Sequence, residues 1–193
     1  MDELVRAAGF RTKRSYVATS RGSRRGDLEI RNANIAGKAH LIIDVSMIHE
    51  FHGACDDIGR NGELRHAQNP DRVLIDAAKR KVDKYRLDYL QDGKAFLPLI
   101  ASTSGRLHGE FVRFLYFLAH KRAMDFFAAI GQEHPSHQEL CQQRGAFFYQ
   151  HRSRVGVACA QACALRIGGA APPRRQAPLQ GANAHALQED LDA

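Results

Sequence analysis

The pattern of hydrophobic and polar positions predicts an α/β domain whose strands come mainly before its long helices. Short apolar runs indicate strands, whereas apolar residues spaced three or four apart indicate helices. The predicted elements are a helix at 2–8, strands at 10–17, 27–30 and 41–48, a helix at 69–90, a strand at 95–101, and helices at 110–130 and 136–167. This order favours a small mixed β-sheet with flanking helices and a C-terminal helical extension.

The run at 41–48 is the most informative of these elements. It is rich in β-branched residues, too short for an ordinary helix, and bounded by Gly37 and Gly53. Such a run predicts a strand that is buried on both faces in the middle of a sheet. Asp44 lies within it, and a buried carboxylate is costly unless a cation, a donor or a metal ion compensates it. Asp44 is therefore either a metal ligand where the strand ends at a cleft or a residue at the strand end that caps the next turn.

The connecting segments are rich in glycine and polar residues, which predicts loops at 20–25 and 51–69. Pro98 lacks an N–H donor, so its strand is expected to lie at a sheet edge or to contain a bulge rather than to be central. From 168 onward the chain is rich in Pro, Gly, Ala and Gln and has no periodicity, which predicts a disordered tail. We divide the chain into a core at 1–101, a helical extension at 102–167 packed on the core, and a tail at 168–193.

Positive charge is concentrated near the N-terminus. The chain carries 28 Lys and Arg against 21 Asp and Glu, a net charge of +7. A basic segment of this kind suits a polyanion, and contacts to phosphate groups are its simplest use. A solvated, partly disordered segment is the alternative interpretation. The residues that we expect to contact a nucleic-acid backbone are Arg11, Lys13, Arg14, Arg24 and Arg25.

Composition also bounds the class of protein. With 193 residues, 44% of them hydrophobic, the chain is long enough for a globular core. Its four cysteines show neither paired zinc spacings nor a disulfide framework, which favours a reducing compartment. The N-terminus lacks the apolar core of a signal peptide, and no apolar run approaches membrane-spanning length. We therefore expect an intracellular protein that does not bind a membrane.

Asp27 and Asp44 are predicted on neighbouring strands of one hairpin, where two carboxylates can hold Mg²⁺ or Mn²⁺ against a phosphodiester. The following helix offers Lys81 and Lys84 as a nearby positive charge that stabilises the transition state or positions water. Lys81 flanks the predicted inward stripe of this helix, while Lys84 points further from its centre. That stripe comprises Ile75, Ala78, Val82, Tyr85 and Tyr89.

The segments Arg25-Gly-Asp27-Leu-Glu-Ile, Leu-Ile-Ile-Asp44-Val-Ser46 and Lys81-Val-Asp-Lys84-Tyr85-Arg, taken in order, resemble the endonuclease domain of site-specific non-LTR retrotransposons. That domain belongs to the PD-(D/E)xK superfamily and usually follows a reverse transcriptase in one polypeptide. The resemblance covers about 2–100 and implies a restriction-endonuclease-like core. It further implies a DNA substrate, a Mg²⁺ or Mn²⁺ cofactor, a nuclear location and a reverse-transcriptase polypeptide as partner.

Carried over by position, Asp27 corresponds to the first acid of the motif and Asp44 to the second. The motif lysine would fall at Ser46, and the resemblance implies that a lysine of the following helix, Lys81 or Lys84, replaces it. Periodicity favours Lys81, whereas the Lys-Tyr pairing favours Lys84. Gly26 stands where the motif has proline.

Two other groups of residues have alternative interpretations. Glu29 shares a strand face with Asp27 and is either a third metal ligand or, as we expect, a solvent-facing residue. His49 and His52 are spaced three apart at the end of a strand, unlike the four-residue spacing of helical zinc sites. We expect no zinc there.

Three functional hypotheses follow. The first is a metal-dependent DNA endonuclease that hydrolyses phosphodiester bonds. The second is a catalytically degenerate remnant of a retroelement that binds nucleic acid without cutting, which Ser46 and Gly26 favour. The third is a helical module for protein interaction. Salt-dependent DNA binding would separate the first two from the third, and metal-dependent nicking would separate the first from the second.

Overall fold

The structure, a computed structural model, describes residues 1–19, 22–53 and 58–170. Its helices and strands follow the predicted order. They are α1 (Asp2–Ala7), β1 (Arg11–Thr19), β2 (Gly22–Ile35), β3 (Lys38–Ile48), a single 3₁₀ turn (Ile58–Arg60), α2 (Arg72–Gln91), β4 (Lys94–Ser102), α3 (Gly109–Ala129) and α4 (His137–Ala170). The prediction of a mixed α/β fold with flanking helices is confirmed.

The four strands form one sheet in the order β1-β2-β3-β4. β1, β2 and β3 pair antiparallel, whereas β4 runs parallel to β3 after the crossover through α2. β3 is an interior strand whose residues 41–44 are buried, as the apolar run predicted. β4 is an edge strand, which confirms the position inferred from Pro98.

The two faces of the sheet are covered differently. Leu28, Ile30, Leu41 and Ile43 point to the face that packs against α1 and α3, and they share one hydrophobic core with helix residues such as Phe114. Because side chains alternate along a strand, the residues between them point to the opposite face. On that face α2 packs mainly on β4 and touches β3. The side of the sheet that carries the two acids is therefore only partly covered.

The inward stripe predicted for α2 is partly wrong. Tyr89 and Ala78 are buried, but Ile75 is 44% exposed, and Leu74 and Ala77 are buried in its place. Helix α2 packs on the edge strand β4, where Leu74 and Ala78 meet Ile100. The buried face of α2 is therefore rotated about the helix axis relative to the predicted stripe, which leaves Ile75 outside it.

The predicted loop at 20–25 is wrong for residues 22–25, which belong to β2. Arg25 pairs with Ala18 and Gly22 with Thr19, so the β1–β2 hairpin continues through a segment whose composition favoured a loop. Main-chain hydrogen bonds of a hairpin can order a polar segment in spite of its low strand propensity. Residues 20 and 21 lie outside the described residues.

The C-terminal half is helical, as predicted. Ser136 and Glu139 form the predicted capping box, in which the Glu139 carboxylate accepts hydrogen bonds from the Ser136 N–H at 2.8 Å and from its hydroxyl at 2.7 Å. Helix α4 packs on α3 and runs through Ala170, so the tail predicted from 168 begins in helix. The remainder of that predicted tail, 171–193, lies outside the described residues. Among the described helices, none is both long and apolar enough to cross a membrane.

Candidate active site

Asp27 and Asp44 lie opposite each other on β2 and β3. The register pairs Leu28 with Ile43. Because the strands are antiparallel, Asp27, which precedes Leu28, lies opposite Asp44, which follows Ile43, and both are on the partly covered face. The Asp27 carboxylate accepts a hydrogen bond from the Val45 N–H at 2.7 Å, which fixes it beside the Asp44 strand. Asp27 is exposed, whereas Asp44 is only 7% exposed. The pair therefore has one carboxylate open to solvent and one at the base of the site.

Lys81 completes the cluster from α2. Its Nζ donates to Oδ2 of Asp44 at 2.6 Å, and the two side chains are 24% and 11% exposed. Lys84, three residues along the helix, instead places its Nζ 5.1 Å from the centre of the Tyr85 ring. Of the two lysines left open by the sequence, Lys81 is thus in direct contact with Asp44.

Burial raises the pKa of Asp44 above its ordinary value of 3.8. The Lys81 ammonium acts in the opposite direction, while the neighbouring Asp27 carboxylate raises the pKa further through its charge and a shared hydrogen bond. The Asp44 carboxylate is thus poorly solvated and repelled by the Asp27 carboxylate, and one lysine compensates only part of the cost. A divalent cation between them would relieve this repulsion.

The donors present suit a hard cation that keeps several other ligands. Within the described ranges, no group of three or more His, Cys, Asp or Glu side chains is placed to hold a metal ion. Two carboxylates with the remaining positions taken by water and phosphate oxygens is the arrangement in which Mg²⁺ commonly meets phosphate substrates. Asp27 and Asp44 therefore fit Mg²⁺ or Mn²⁺ better than a metal that needs a full protein cage.

Gly26 is required by the packing behind Asp27. A Cβ at this position would lie 2.2 Å from Cγ2 of Ile42 and 3.3 Å from the Ile43 carbonyl oxygen. The Tyr89 hydroxyl forms a hydrogen bond with the Gly26 main chain, and burial raises the pKa of Tyr89 to about 12. Its ring stacks on Phe96 with centroids 5.4 Å apart. The close approach of Ile42 explains why glycine, rather than a bulkier residue, precedes the first acid.

The expectation that Glu29 faces solvent is wrong. It is 6% exposed, and its Oε1 lies 3.7 Å from both Nδ1 of His40 and Nζ of Lys94. Because His40 lies on β3 and Lys94 on β4, a carboxylate in the middle of the sheet has basic partners on the neighbouring strands. Sequence reasoning missed His40 and Lys94 because their proximity depends on strand register.

The predicted backbone-binding residues fall on the β1–β2 hairpin. Arg11 and Lys13 are exposed on β1. Arg14 also lies on β1, and Arg24 and Arg25 lie on β2, but the side chains of these three are outside the described part of the structure. The hairpin places this basic segment in the same sheet as the two acids, so it is not a detached N-terminal arm.

The two histidines considered for zinc have separate partners. His49 Nδ1 lies 3.0 Å from the Thr103 hydroxyl, whereas His52 Nε2 lies 3.0 Å from a guanidinium nitrogen of Arg60. These contacts use the histidines to fix the segment that follows β3.

Comparison with known proteins gave no match to a family model, to a curated protein or to a solved structure.

Proposed function

We propose that the chain is a metal-dependent DNA endonuclease with a restriction-endonuclease-like core, related to the nuclease domains of non-LTR retrotransposons. The observation that carries this proposal is the convergence of Asp27, Asp44 and Lys81 from three separate elements on the partly covered face of the sheet. Residue type, element order and contact geometry all agree with hydrolysis of a phosphodiester. Mg²⁺ or Mn²⁺ is the cofactor of this proposal.

Asp27 and Asp44 would hold the cation. When bound, the cation stabilises negative charge on the phosphate group and lowers the pKa of a bound water. The exposed carboxylate of Asp27 would face the incoming substrate, while the buried Asp44 would hold Lys81 beside the site through their ion pair. In the reaction a water oxygen forms a bond to phosphorus as one phosphorus–oxygen ester bond breaks, the water loses a proton to solvent, and the leaving alkoxide takes one up.

Lys81 is assigned charge stabilisation. Its Nζ is an ammonium group in the ion pair with Asp44, so it has protons to donate and no lone pair with which to accept one. A hydrogen bond from this ammonium to a phosphate oxygen would stabilise the additional charge of the transition state. The catalytic role considered for Lys84 stays a prediction.

A second candidate is binding of nucleic acid without cleavage. It is favoured by the site having two carboxylates and no third protein ligand among the described residues, together with serine at position 46. The two candidates share the substrate surface and differ only in whether the acid pair binds a productive metal ion.

The experiment is nicking of supercoiled plasmid DNA by the purified chain with Mg²⁺, Mn²⁺ or EDTA. We expect metal-dependent nicking by the wild type, and a loss of at least ~10²-fold in Asp44→Asn and in Lys81→Met, since each removes a charge at the reacting centre. Matched controls are Asp76→Asn and Lys79→Met, which make the same two changes on α2 at positions outside the cluster.

The controls should nick at the wild-type rate. Folded wild type that binds DNA but never nicks it would support the binding-only candidate. Equal nicking by Asp44→Asn and the wild type would contradict the assignment of the site.

A further inference from the structure

Four basic side chains form a row across the whole sheet. Arg11 pairs with Arg31, Arg31 with His40, and His40 with Lys94, so β1, β2, β3 and β4 each contribute one. Paired residues on neighbouring strands point to the same face. Arg31 is four residues from Asp27 on β2, and this even spacing places the row on the face that carries the acid pair.

The row is open to solvent where α2 does not cover the sheet. Helix α2 packs on β4 and touches β3, whereas Arg11 and Arg31 on β1 and β2 are exposed. Lys13, also exposed, pairs with Glu29 and therefore lies on the same face between the row and the acid pair. Positive charge thus extends from the candidate active site across the uncovered half of the sheet.

The ion pairing of the row differs from that of other basic residues. Arg72, Arg113 and Lys121 each pair with a carboxylate on their own helix, and Arg106 pairs with Asp71. By contrast, no carboxylate in the part of the chain that the structure describes pairs with Arg11 or Arg31. At the other end of the row, His40 and Lys94 share the single carboxylate of Glu29. The row therefore keeps a net positive charge at its exposed end.

The position of the row suits a backbone that passes over the acid pair. Four residues of a strand span about 13 Å, so the row lies roughly that far from Asp27. Each strand of duplex DNA carries one phosphate per about 3.4 Å of helix axis, so a duplex that lies across this face presents phosphates both at the acid pair and at the row. A backbone held at the row can thus reach the acid pair within the same duplex.

We propose that the row Arg11–Arg31–His40–Lys94 binds backbone phosphates of the duplex DNA that passes over the acid pair. This inference rests on the proposed function, because the ligand of the row is the strand presented to Asp27 and Asp44. It assigns the substrate surface to the uncovered half of the sheet and adds Arg31, His40 and Lys94 to the basic residues that the sequence indicated.

The test is fluorescence anisotropy of a labelled 30-base-pair duplex over a series of salt concentrations in EDTA, where cleavage cannot occur. We expect Arg11→Gln combined with Arg31→Gln to lower affinity about 10- to 100-fold and to reduce the slope of log K against log salt by about 2, one for each lost phosphate contact. Arg31→Lys alone should keep the wild-type slope, because it preserves the charge.

The matched control is Arg113→Gln combined with Lys121→Gln, which removes the same charge from α3 on the opposite side of the sheet. We expect it to keep the slope of the wild type. An equal loss in the control and the row variant would overturn the proposal, as would unchanged binding by the row variant or binding of heparin without duplex DNA.

Plasmid nicking separates this inference from the proposed function. A wild type that nicks, with a row variant that retains the wild-type slope, overturns the row and leaves the nuclease standing. A row variant with the expected loss of slope, in a protein that never nicks, supports the row and overturns the nuclease.

Discussion

The two faces of the sheet differ in polarity, in charge and in how far helices cover them. One face presents Leu28, Ile30, Leu41 and Ile43 to α1 and α3, and these residues are 0–4% exposed. The other face carries acids and bases from the same strands, including Asp27, Glu29, Asp44 and Arg31, and α2 covers only part of it. One face provides the stability of the fold, and we assign the candidate chemistry to the other.

Because successive side chains of a strand point to opposite faces, one strand can contribute both to the stability of the core and to a candidate site. Each acid is adjacent in sequence to a core residue, Asp27 to Leu28 and Asp44 to Ile43. The core neighbours fix the backbone, so that a costly pair of carboxylates is held in place by residues that make no contact with a substrate. Changes on the two faces should therefore have different consequences.

The largest effect on stability is expected from the apolar face. Leu99 is 0% exposed on β4, and Leu99→Ala should lower the free energy of unfolding by about 2–5 kcal/mol because it removes buried contacts and leaves a cavity. Urea denaturation measures the change. Nicking per folded molecule should stay near that of the wild type. A folded variant that does not nick would contradict the assignment of stability and nicking to different faces.

The next effect tests the close packing behind the acid pair. Gly26→Ala places a Cβ 2.2 Å from Ile42 and should destabilise the fold by about 1–3 kcal/mol, as overpacked sites do. Because Gly26 precedes Asp27, metal-dependent nicking should fall as well. Gly53→Ala, where a Cβ would meet nothing within 4 Å, is the control for the loss of a glycine. Thermal unfolding that does not distinguish the two variants would contradict this role of Gly26.

A smaller effect is expected from Tyr89→Phe. The variant keeps the ring that stacks on Phe96 but loses the hydrogen bond with the Gly26 main chain, for which a cost of about 0.5–1.5 kcal/mol is typical. Tyr149→Phe is the control for the loss of a tyrosine hydroxyl, since Tyr149 is 68% exposed and its ring also contacts a phenylalanine, Phe148. A chemical denaturation series should rank Tyr89→Phe as the less stable of the two, and the reverse order would argue against the contact with Gly26.

The last change should stabilise the fold. The pKa of Asp44 is raised in the folded protein, so the folded state binds this proton more tightly than the unfolded state does. The stabilising contribution is complete below the ordinary pKa of 3.8 and is lost as the pH rises through the raised value. Asp44→Asn, which carries no charge, should therefore melt at a higher temperature than the wild type at pH 7.

The gap in melting temperature between Asp44→Asn and the wild type should narrow as the pH is lowered toward 3.8. A variant that is less stable than the wild type at neutral pH would show that the Lys81 ion pair outweighs the burial of Asp44. Gain of stability with loss of nicking would be the expected behaviour of a residue kept for function.

Local patterns were sufficient to predict the parts of the site that one hairpin and one helix provide. The apolar run around Asp44 identified an interior strand, and the hairpin placed Asp27 beside it. Helical periodicity was enough to favour Lys81 over Lys84, even though the stripe that contained Ile75 was rotated. These inferences succeed because strand alternation and helical phase depend on neighbouring residues.

The basic row could not be predicted, because it depends on how distant strands align. The pairing of His40 with Lys94 follows from the parallel register of β3 and β4, which is set after the crossover through α2. Glu29 was expected in solvent for the same reason, since the basic side chains beside it, His40 and Lys94, come from other strands. Composition was also misleading at 22–25, where hairpin pairing orders a Gly- and Arg-rich segment.

The central claim is that Asp27 and Asp44 together hold a divalent cation. Anomalous X-ray diffraction from crystals of the chain soaked in Mn²⁺ tests it most directly. We expect one strong peak within about 2.0–2.3 Å of a carboxylate oxygen of each residue, with the peak absent in Asp44→Asn. A Mn²⁺ peak that lies elsewhere, or one that persists unchanged in Asp44→Asn, would contradict the account.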